Sequence, residues 1–401
     1  MKSIVRNGLL LALSLTLLTG CWNRRELNEL AIAVALGFDK TDHNHYVVSV
    51  QLVNPGEIST KGGGGGNRSP VSTFRMEGRS VFEALRKMTT KLNRKIYLSH
   101  LRLIVFGEDL AKQGIMVPMD FLSRDHEVRT DFYIVVAKGA KAEDVLEILT
   151  PQEKIPANKL FSSLEMSEKS WAGTTKLTLD MLIEDLESDG KSPVLTGLFV
   201  SGPISKGKGL ENTQFSEVPT VLQYDGLALF KRDKLIGWLN ETQTKGYNYA
   251  KGNVESTVGI LECPGGLAEI ELIRTTSKIK GALTDGGKPK IEIEVHAEGN
   301  VGDVSCDMDM SVPATIEKFE QLTADHIAES INNAIYIAQT KYKTDVFGFG
   351  EVLHRSYPKQ WQQWRQDWDS TFVDLDVETS VDVAIRRIGT INQPIKTRVR
   401  K

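Results

Sequence analysis

Apolar and polar residues along the first half of the chain are spaced as in strands alternating with helices. In Ala31–Phe38 large apolar residues alternate with small ones, and Val48–Leu52 alternates again, so two strands are predicted with a polar turn at Asp42–Asn44. Helical spacing predicts an amphipathic helix over Arg79–Arg94. The elements that follow are strands over Leu101–Phe106 and Phe132–Ala137, and helices near Ile115–Leu122 and Ala140–Leu149.

The middle of the chain has a weaker pattern. From Ser162 to Gln214 prolines and glycines interrupt the periodicity, which favours an interdomain region. After it, Leu227–Phe230 and Leu235–Leu239 flank a short turn and predict a second hairpin. In Ala268–Leu272 and Ile291–Val295 apolar residues alternate with glutamates, which is typical of strands that have one face in water.

The last third of the chain predicts a long helix packed on a sheet. Apolar residues on one helical face continue for about 25–30 residues from Pro313. A second helix near Lys359–Asp369 aligns three tryptophans on one stripe, which is more often core than a ligand cage. These are Trp361, Trp364 and Trp368. The final strand alternates apolar with acidic residues from Val373 to Ile385, so the long helix is expected to pack against an antiparallel sheet.

These elements predict a multidomain protein of mixed α+β and α/β class, in which mixed and antiparallel sheets pack against amphipathic helices. A chain of 401 residues is too long for one ordinary core. The expected units are a signal peptide over 1–20, an N-terminal α/β domain over 21–200 with a flexible glycine-rich loop at 55–73, a middle β-rich domain over 201–285, a C-terminal helix-plus-sheet domain over 286–393 and a basic tail over 394–401.

The first twenty residues have the features of an export signal. Lys2 and Arg6 accompany the apolar run Gly8–Leu18, which is too short to span the ~30 Å hydrocarbon layer as a helix. Leu18-Thr19-Gly20-Cys21 resembles the bacterial lipobox, whose cysteine receives a diacylglyceryl group and becomes the mature N-terminus. Two acyl chains hold a protein stably on a membrane. The sequence therefore predicts a diacylglyceryl and N-acyl anchor at Cys21 and a folded part outside the cytoplasmic membrane.

Composition and charge narrow the range of partners. The net charge is −3, and removal of Lys2 and Arg6 with the signal peptide leaves −5 on the mature part. The one strongly basic block is the short tail, so nucleic acid is not expected as a partner. Apart from Cys21 the cysteines are Cys263 and Cys306; export permits a disulfide, but the sequence does not show whether the two meet. The sequence contains no CxxC motif and no Cys/His cluster, so it predicts no metal site.

Residues that carry chemistry in other proteins are scattered here. His43 and His45 have no third ligand nearby, so a polar turn is favoured. Ser99 and His100 are adjacent, and adjacent strand residues face opposite sides, which argues against a catalytic pair. Gly62–Gly66 lacks the Lys-Ser/Thr of a phosphate-binding loop and is interpreted as a mobile surface loop. No catalytic residue, cofactor or metal ligand is predicted, and the protein is not expected to be an enzyme.

Segments spread over nearly the whole mature chain match one family in order and spacing. They are Cys21–Leu27, Leu30–Ala31, Ala35–Lys40, Leu98–Arg102, Asp120–Asp125, Val135–Gly139, Gly226–Phe230, Gly237–Leu239, Phe347–Glu351 through Tyr357-Pro358, and Val381–Arg387. In these segments the chain resembles the C-subunit lipoproteins of bacterial spore germinant receptors, the Ger(x)C family. The segment 56–73, with its glycine run, is where family members are expected to differ.

The resemblance implies three α/β-type domains, attachment to the outer face of the spore inner membrane, and association with the two integral membrane subunits of a germinant receptor. It implies a role in nutrient-triggered germination and supplies no catalytic residue.

Next to the lipid, Trp22, Arg24, Arg25 and Glu26 are candidate docking residues, with a charged spacer as the alternative. Two other classes stay open. A lipid-anchored extracytoplasmic small-molecule binding protein needs a cleft with converging polar groups. A cell-wall hydrolase needs paired carboxylates or a metal, and the sequence offers no convincing set of either.

Overall fold

The computed structural model describes residues 3–8, 26–58, 68–306 and 308–388. The predicted glycine tract at 62–66 and the basic tail lie outside the described residues, as do residues 9–25. Within the described ranges the chain forms two sheets, one of nine strands and one of four. The predicted class, mixed and antiparallel sheets packed against amphipathic helices, is confirmed.

The first sheet has a parallel centre and antiparallel margins. Its strands are β1 (Leu30–Lys40), β2 (Tyr46–Val53), β3 (Val71–Gly78), β4 (Lys95–Tyr97), β5 (Leu103–Gly107), β6 (Tyr133–Lys138), β7 (Val194–Ser201), β8 (Val221–Lys231) and β9 (Lys234–Leu239). The order is β3-β2-β1-β5-β6-β7-β8-β9, and β4 pairs with the start of β1. Strands β1, β5, β6 and β7 run parallel, and every residue of β5 is buried. Parallel strands of this kind are covered by helices on both faces.

Helices lie around this sheet, and all but the two that have four residues bury apolar side chains against its two faces. They are α1 (Pro55–Ile58), α2 (Val81–Lys87), α3 (Glu108–Gln113), α4 (Met116–Arg124), α5 (Ala142–Glu147), α6 (Pro156–Trp171), α7 (Leu179–Glu187) and α8 (Ile204–Gly207). Buried residues of α2, α3, α4 and α7 form one core with Phe38 and Phe106. Those of α5 and α6 form another core with Leu103 and Val105. Consecutive residues of β5 thus pack into opposite cores, because successive side chains of a strand point to opposite faces of the sheet.

The second sheet is a long hairpin flanked by two further strands. Its strands, in spatial order, are β10 (Thr257–Cys263), β11 (Gly266–Leu283), β12 (Pro289–Val304) and β13 (Asp376–Arg387). Alternate residues of β12, among them Ile291 and Ile293, are buried. Charged residues on the other face pair across strands, as in Lys280 with Glu294 at 2.5 Å. One face of this sheet is therefore in water, as the glutamate pattern predicts.

Helices of the C-terminal part cover the apolar face of the second sheet. They are α9 (Glu241–Lys251), α10 (Pro313–Ile337), α11 (Phe349–Ser356), α12 (Pro358–Trp364) and α13 (Trp368–Val373). Helix α10 has 25 residues and is continued by a π-helical turn, Ala338–Tyr342. The predicted long helix is therefore confirmed. The tryptophan stripe is divided between α12 and α13, with Trp361 and Trp368 buried and Trp364 half-buried against the same core.

The interpretation of Ser162–Gln214 as an interdomain region is wrong, because this stretch contains regular secondary structure. Helix α6 begins before it, with Pro156 at its first position, and α7 and β7 lie within it. Strand β7 begins with five consecutive buried residues. A strand buried on both faces has no apolar–polar alternation, which explains why the sequence pattern appears weak there.

Two further expectations differ from the structure. Residues 201–285, predicted as a middle domain, have no sheet of their own: β8 and β9 complete the first sheet, and β10 and β11 start the second. In the second sheet β13 pairs with β12 in parallel, with Lys290 opposite Asp376, so this sheet is mixed rather than antiparallel. The helices α10–α13 return the chain to the end of the sheet at which β12 began, and that return makes the pairing parallel.

Candidate functional site

The described chain enters the first sheet where the predicted docking segment ends. Four of the predicted site residues, Cys21, Trp22, Arg24 and Arg25, lie outside the described residues. Glu26 is described and exposed, and its carbonyl oxygen accepts a hydrogen bond from the N–H of Glu29 at 3.0 Å. Strand β1 starts at the next residue, Leu30. Lipidation and docking by these residues stay predictions.

Strand β4 lies beside this entry point. It pairs in parallel with the first residues of β1, with Lys95 opposite Leu30 and Tyr97 opposite Ile32. Neighbouring strands are ~4.8 Å apart, so the backbone of Lys95 lies next to the start of the folded chain. The elements that precede β4 are α2 and a 3-10 turn, Met88–Thr90.

Two side chains accept backbone hydrogen bonds at the N-terminus of helix α2. The hydroxyl of Ser80 accepts a hydrogen bond from the N–H of Glu83 at 3.1 Å, and the carboxylate of Glu83 accepts one from the N–H of Arg79 at 2.8 Å. Lys87 lies 2.8 Å from the same carboxylate. The hydrogen bond from Lys87, followed by that from Arg79, lowers the pKa of Glu83 to about 2. One carboxylate therefore organises a helix that is otherwise rich in cations.

An apolar cleft of about 500 Å³ opens between α2, β4 and α4. Its apolar lining residues are Val81, Phe82, Leu85, Ile96, Leu98, Val117 and Phe121. The rings of Phe82 and Phe121 lie 6.3 Å apart, and the Arg86 guanidinium lies over the Phe82 ring at 4.9 Å. Phe82 and Val117 are 53% and 51% exposed, so two large apolar residues from two helices lie partly in water at the mouth of the same cleft.

Apart from Arg86, which lies over the Phe82 ring, the charged residues of the cleft have polar partners within it. Arg124 contacts Asp120 at 2.9 Å, and Lys95 forms a close ion pair with Glu127. Asp125 accepts a hydrogen bond from the N–H of Glu127. The cleft therefore combines an apolar floor with a rim of paired charges, and its polar groups do not converge on one point inside it.

These residues were not predicted from the sequence to form a cleft. Helical periodicity assigns Val81, Leu85 and Met88 to a buried face, and Phe82 falls outside that face. An aromatic residue on the polar side of an amphipathic helix is a signal that was available from the sequence alone. The exposure of Val117 depends on tertiary packing, because Pro118 and Met119 beside it are buried.

Two of the segments that carry the family resemblance have a structural role. In Ala35–Lys40, Asp39 is buried and its carboxylate accepts hydrogen bonds from the N–H groups of Ala142 and Glu143, at 2.9 and 3.0 Å, at the start of α5. Burial raises the pKa of Asp39 to about 6, against the lowering effect of those two N–H donors. This residue caps a helix and does not line the cleft.

In the segment Phe347–Glu351 the organising group is the buried carboxylate of Asp345. It accepts hydrogen bonds from the N–H groups of Phe347, Gly348 and Gly350 at 2.9–3.0 Å, and from the indole of Trp368 at 3.2 Å. Burial raises the pKa of Asp345 to about 6.

Steric constraints explain why glycine occupies two positions of this segment. Gly348 has a φ of 77°, which glycine adopts without strain. A Cβ on Gly350 would lie 2.6 Å from the Cα of Gly190, in the chain that leads into β7. The N–H of Ser192 donates to the carbonyl of Asp345 at 2.7 Å, so this segment fastens the C-terminal helices to the first sheet.

The residues considered above for catalysis or metal binding form no reactive group. The hydroxyl of Ser99 donates to the carbonyl of Glu127 at 2.6 Å, while the His100 ring packs against Tyr97. His45 lies 2.7 Å from the carboxylate of Glu77. Among the described residues no three His, Cys, Asp or Glu side chains are grouped so that they could hold a metal ion.

The structure answers the question that the sequence left open about the cysteines. Cys263 and Cys306 form a disulfide, with their Cα atoms 5.8 Å apart. The bond joins the end of β10 to the segment after β12, and Cys306 is completely buried. It therefore closes the corner of the second sheet and has no contact with the cleft of the first.

Comparison with known proteins assigns the family. Residues 23–199 match the family described as the spore germination protein N-terminal domain, and residues 225–389 match that described as spore germination B3/GerAC like, C-terminal. The chain is also 34% identical to spore germination protein KC of Bacillus subtilis (strain 168), over 97% of each chain. This chain belongs to the GerAC family of spore germination proteins.

Other members of the GerAC family are more distant but align over most of their length. Spore germination protein B3 of Bacillus subtilis is 23% identical, over 94% of this chain and 96% of the relative. Spore germination protein A3 of the same organism is 25% identical, over 93% and 95%. The crystal structure of the GerBC protein matches 87% of this chain and 96% of its own, with 20% identity and a TM-score of 0.53, and shows that the fold is shared.

No helix in the described ranges is long and apolar enough to cross a membrane.

Proposed function

We propose that this protein is the lipid-anchored C subunit of a nutrient germinant receptor, required for nutrient-triggered spore germination and held at the outer face of the spore inner membrane. The observation that carries the proposal is the combination of family membership over both halves of the chain with Leu18-Thr19-Gly20-Cys21 ahead of them. A lipidated Cys21 anchors the chain through two acyl chains of the diacylglyceryl group. Its partners in this proposal are two integral membrane subunits, and it performs no chemical reaction.

The structure supports a binding role over catalysis. The described residues that resemble catalytic or metal-binding groups are tied into local hydrogen bonds, as with Ser99 and His45. The names of the relatives describe germination proteins, and none of them names an enzyme.

The other function considered, a lipid-anchored small-molecule binding protein, has less support. A site for a small polar molecule needs polar groups that converge on it. In the 500 Å³ cleft, Arg124 and Lys95 contact Asp120 and Glu127 instead. The apolar floor of the cleft suits a larger apolar surface better than an amino acid or a sugar.

The test is a comparison of the wild-type chain with Cys21→Ala in spores. Mass spectrometry of the N-terminal peptide should show the diacylglyceryl and N-acyl groups on Cys21 in the wild type. Cys21→Ala should leave the spore membrane fraction, lose co-purification of the integral subunits and slow nutrient-triggered germination. A processed Cys21→Ala chain that stays membrane-bound at the wild-type level, with germination unchanged, would contradict the proposal.

A further inference from the structure

We propose that the face formed by α2, β4 and α4 rests on an anionic lipid bilayer, so that the folded part of the protein contacts the membrane in addition to its lipid. For brevity this surface is called the basic face; it comprises residues 79–95 and Met116–Arg124. The proposal rests on the proposed anchor for its geometry. It goes further by assigning an orientation to the folded chain.

The first observation is the charge of the face. Residues 79–95 contain six lysines and arginines and one acidic residue, Glu83, hence a local charge of +5 in a chain of net charge −3. The basic residues are Arg79, Arg86, Lys87, Lys91, Arg94 and Lys95, and all except the half-buried Lys95 are exposed. Such a concentration of cations next to a bilayer is attracted to anionic headgroups.

The second observation is the apolar content of the same face. Met116 is 47% exposed, and Phe82 and Val117 slightly more than half. Phe82 and Val117 line the same cleft as Phe121, so these three side chains form one apolar surface, and Arg86 and Arg124 line the cleft with them. Apolar side chains among lysines and arginines are the composition of segments that lie in the membrane interface.

The third observation is that some cations remain uncompensated. The two acidic residues of the face have partners there, Glu83 with Lys87 and Asp120 with Arg124. Lys95 of the face pairs with Glu127, which lies just beyond it. Among the described residues neither Arg86 nor Arg94 lies in an ion pair, and Arg86 instead covers the Phe82 ring. The net positive charge is therefore available to headgroup phosphates.

The fourth observation is the position of the chain entry. Lys95 is the register partner of Leu30, and Leu30 is nine positions after Cys21. Nine positions span at most ~30 Å when extended, so an anchored Cys21 holds the start of β1 close to the bilayer. The tether also raises the effective concentration of the face at the membrane, so that a weak contact suffices.

The experiment uses the full-length lipidated protein in two kinds of vesicle, phosphatidylcholine alone and an equal mixture with phosphatidylglycerol. A photoreactive phenylalanine analogue replaces Phe82, and illumination reports its neighbours as lipid adducts. The matched control replaces Phe215, which is 61% exposed. Phe215 lies three residues after Asn212, whose side-chain amide donates to the carbonyl of Leu149. Leu149 comes shortly after α5, and the buried residues of α5 belong to the core on the side of the sheet opposite α2 and α4.

The expected result is a lipid adduct at position 82 that is stronger in the anionic vesicles and absent at position 215. Each cation near an anionic surface is worth about a fivefold change in partitioning, so Arg86→Glu with Arg94→Glu should lower the adduct yield at least tenfold. The control pair, Arg355→Glu with Lys359→Glu, changes the same charge on exposed residues of the C-terminal helices and should leave the yield unchanged.

Three outcomes would overturn the proposal. The first is a vesicle-bound protein whose adduct yields at positions 82 and 215 are equal. The second is a yield at position 82 that is independent of phosphatidylglycerol and of the two charge reversals. The third is an adduct to a protein rather than to lipid when the same chain is illuminated in spore membranes, which would make the face a docking surface for an integral subunit.

Failure of the anchor is distinguishable from failure of the face. A chain that does not bind phosphatidylcholine vesicles at all, and carries no lipid on its N-terminal peptide, contradicts the proposed function and removes the geometric basis of the face with it. A lipidated, vesicle-bound chain without adducts at position 82 contradicts the face alone.

Discussion

In the nine-stranded sheet helices cover both faces, whereas the four-stranded sheet has helices on one face and ion pairs on the other. The first arrangement buries all five residues of β5, and the second buries every other residue over much of β12. The first sheet accordingly packs into two cores, one on each side. The two sheets thus show how burial on two faces removes the sequence alternation that burial on one face produces.

The two regions are nevertheless not independent. One hydrophobic core contains Leu227 and Leu229 from β8 together with Ile293 of β12 and Ile331 of α10. The Asp345 hydrogen bonds add a polar connection at Ser192. Although two family descriptions divide the chain at residues 199–225, we expect the folded protein to unfold as one unit.

The largest effect should come from truncating a central ring in either region. Phe106 and Phe372 are both fully buried, the first between helices and sheet, the second among Phe349 and Trp368. Phe106→Ala and Phe372→Ala should each lower the free energy of unfolding by ~3–5 kcal/mol. Because the regions share a core, both should shift one guanidinium transition, followed by circular dichroism and by tryptophan fluorescence.

Two transitions, each moved by only one of the substitutions, would show that the sheets are separate folding units. Phe215→Ala is the matched control, since this ring is 61% exposed. It should change the free energy of unfolding by less than ~0.5 kcal/mol.

The disulfide offers a test that affects one region directly. Cys263 and Cys306 are separated by 43 positions, and replacing both by alanine should cost roughly 2–4 kcal/mol, mainly by freeing the unfolded chain. The melting temperatures of wild type and variant, each measured with and without reductant, check this. Reductant should lower the melting temperature of the wild type alone. Equal melting temperatures in all four samples would contradict a stabilising role for the bond.

The tryptophan stripe gives a smaller and graded effect. The sequence favours all three rings as core, which for Trp364→Ala implies a loss of ~3–5 kcal/mol. The structure leaves Trp364 half-buried, with its ring edge-on to Tyr357 at 6.4 Å, so ~2 kcal/mol is expected instead. Trp361→Ala, at a buried position, should cost clearly more. Equal losses for the two variants would mean that exposure does not determine the cost here.

The smallest effect concerns pH, and each region contributes one group to it. Burial raises the pKa of Asp39 and of Asp345 to about 6, from an ordinary 3.8. Because the folded chain binds these protons more tightly than the unfolded chain, each group stabilises the fold fully below about pH 4. That contribution is lost as the pH rises through 6.

Free energies of unfolding measured between pH 4 and 7 test this sign. Asp39→Asn and Asp345→Asn should each flatten the fall in stability across that interval, whatever their effect at a single pH. Asp109→Asn serves as control, since the Asp109 side chain is 84% exposed. A slope that is unchanged in both buried variants would contradict the raised pKa values.

The sequence predicts those elements well in which one face is wet. The hairpin of Leu227–Leu239, the glutamate-lined strands of the second sheet and the helix that begins at Pro313 are all found where the pattern places them. The sequence does not predict strands that are buried on both faces, or pairings between strands that are far apart along the chain. Strand β7, buried on both sides, gives no alternation, and no local pattern shows that β13 pairs with β12.

The candidate sites differ in the same way, because one is local in sequence and the other is not. The predicted lipobox is a local sequence motif, whereas the cleft is formed by residues from three elements, such as Phe82, Ile96 and Val117. In the sequence, the cleft is indicated only by the basic residues from Arg79 to Lys95 and by Phe82, which lies outside the apolar face of its helix. The open question of the cysteines could be answered only by a fold that brings β10 next to the end of β12.

The parallel pairing of β12 with β13 also has a consequence for how the chain is made. The partners, from Lys290 with Asp376 to Asn300 with Arg387, lie more than seventy residues apart, and β13 is the last strand of the described chain. During synthesis or passage through a translocation channel, β12 therefore emerges well before its neighbour and presents an open edge. Such non-local pairings form slowly, and unpaired edges invite association with other chains. Completion of the second sheet thus waits for nearly the full length of the polypeptide, and chains that terminate early expose a ready site for aggregation or proteolysis.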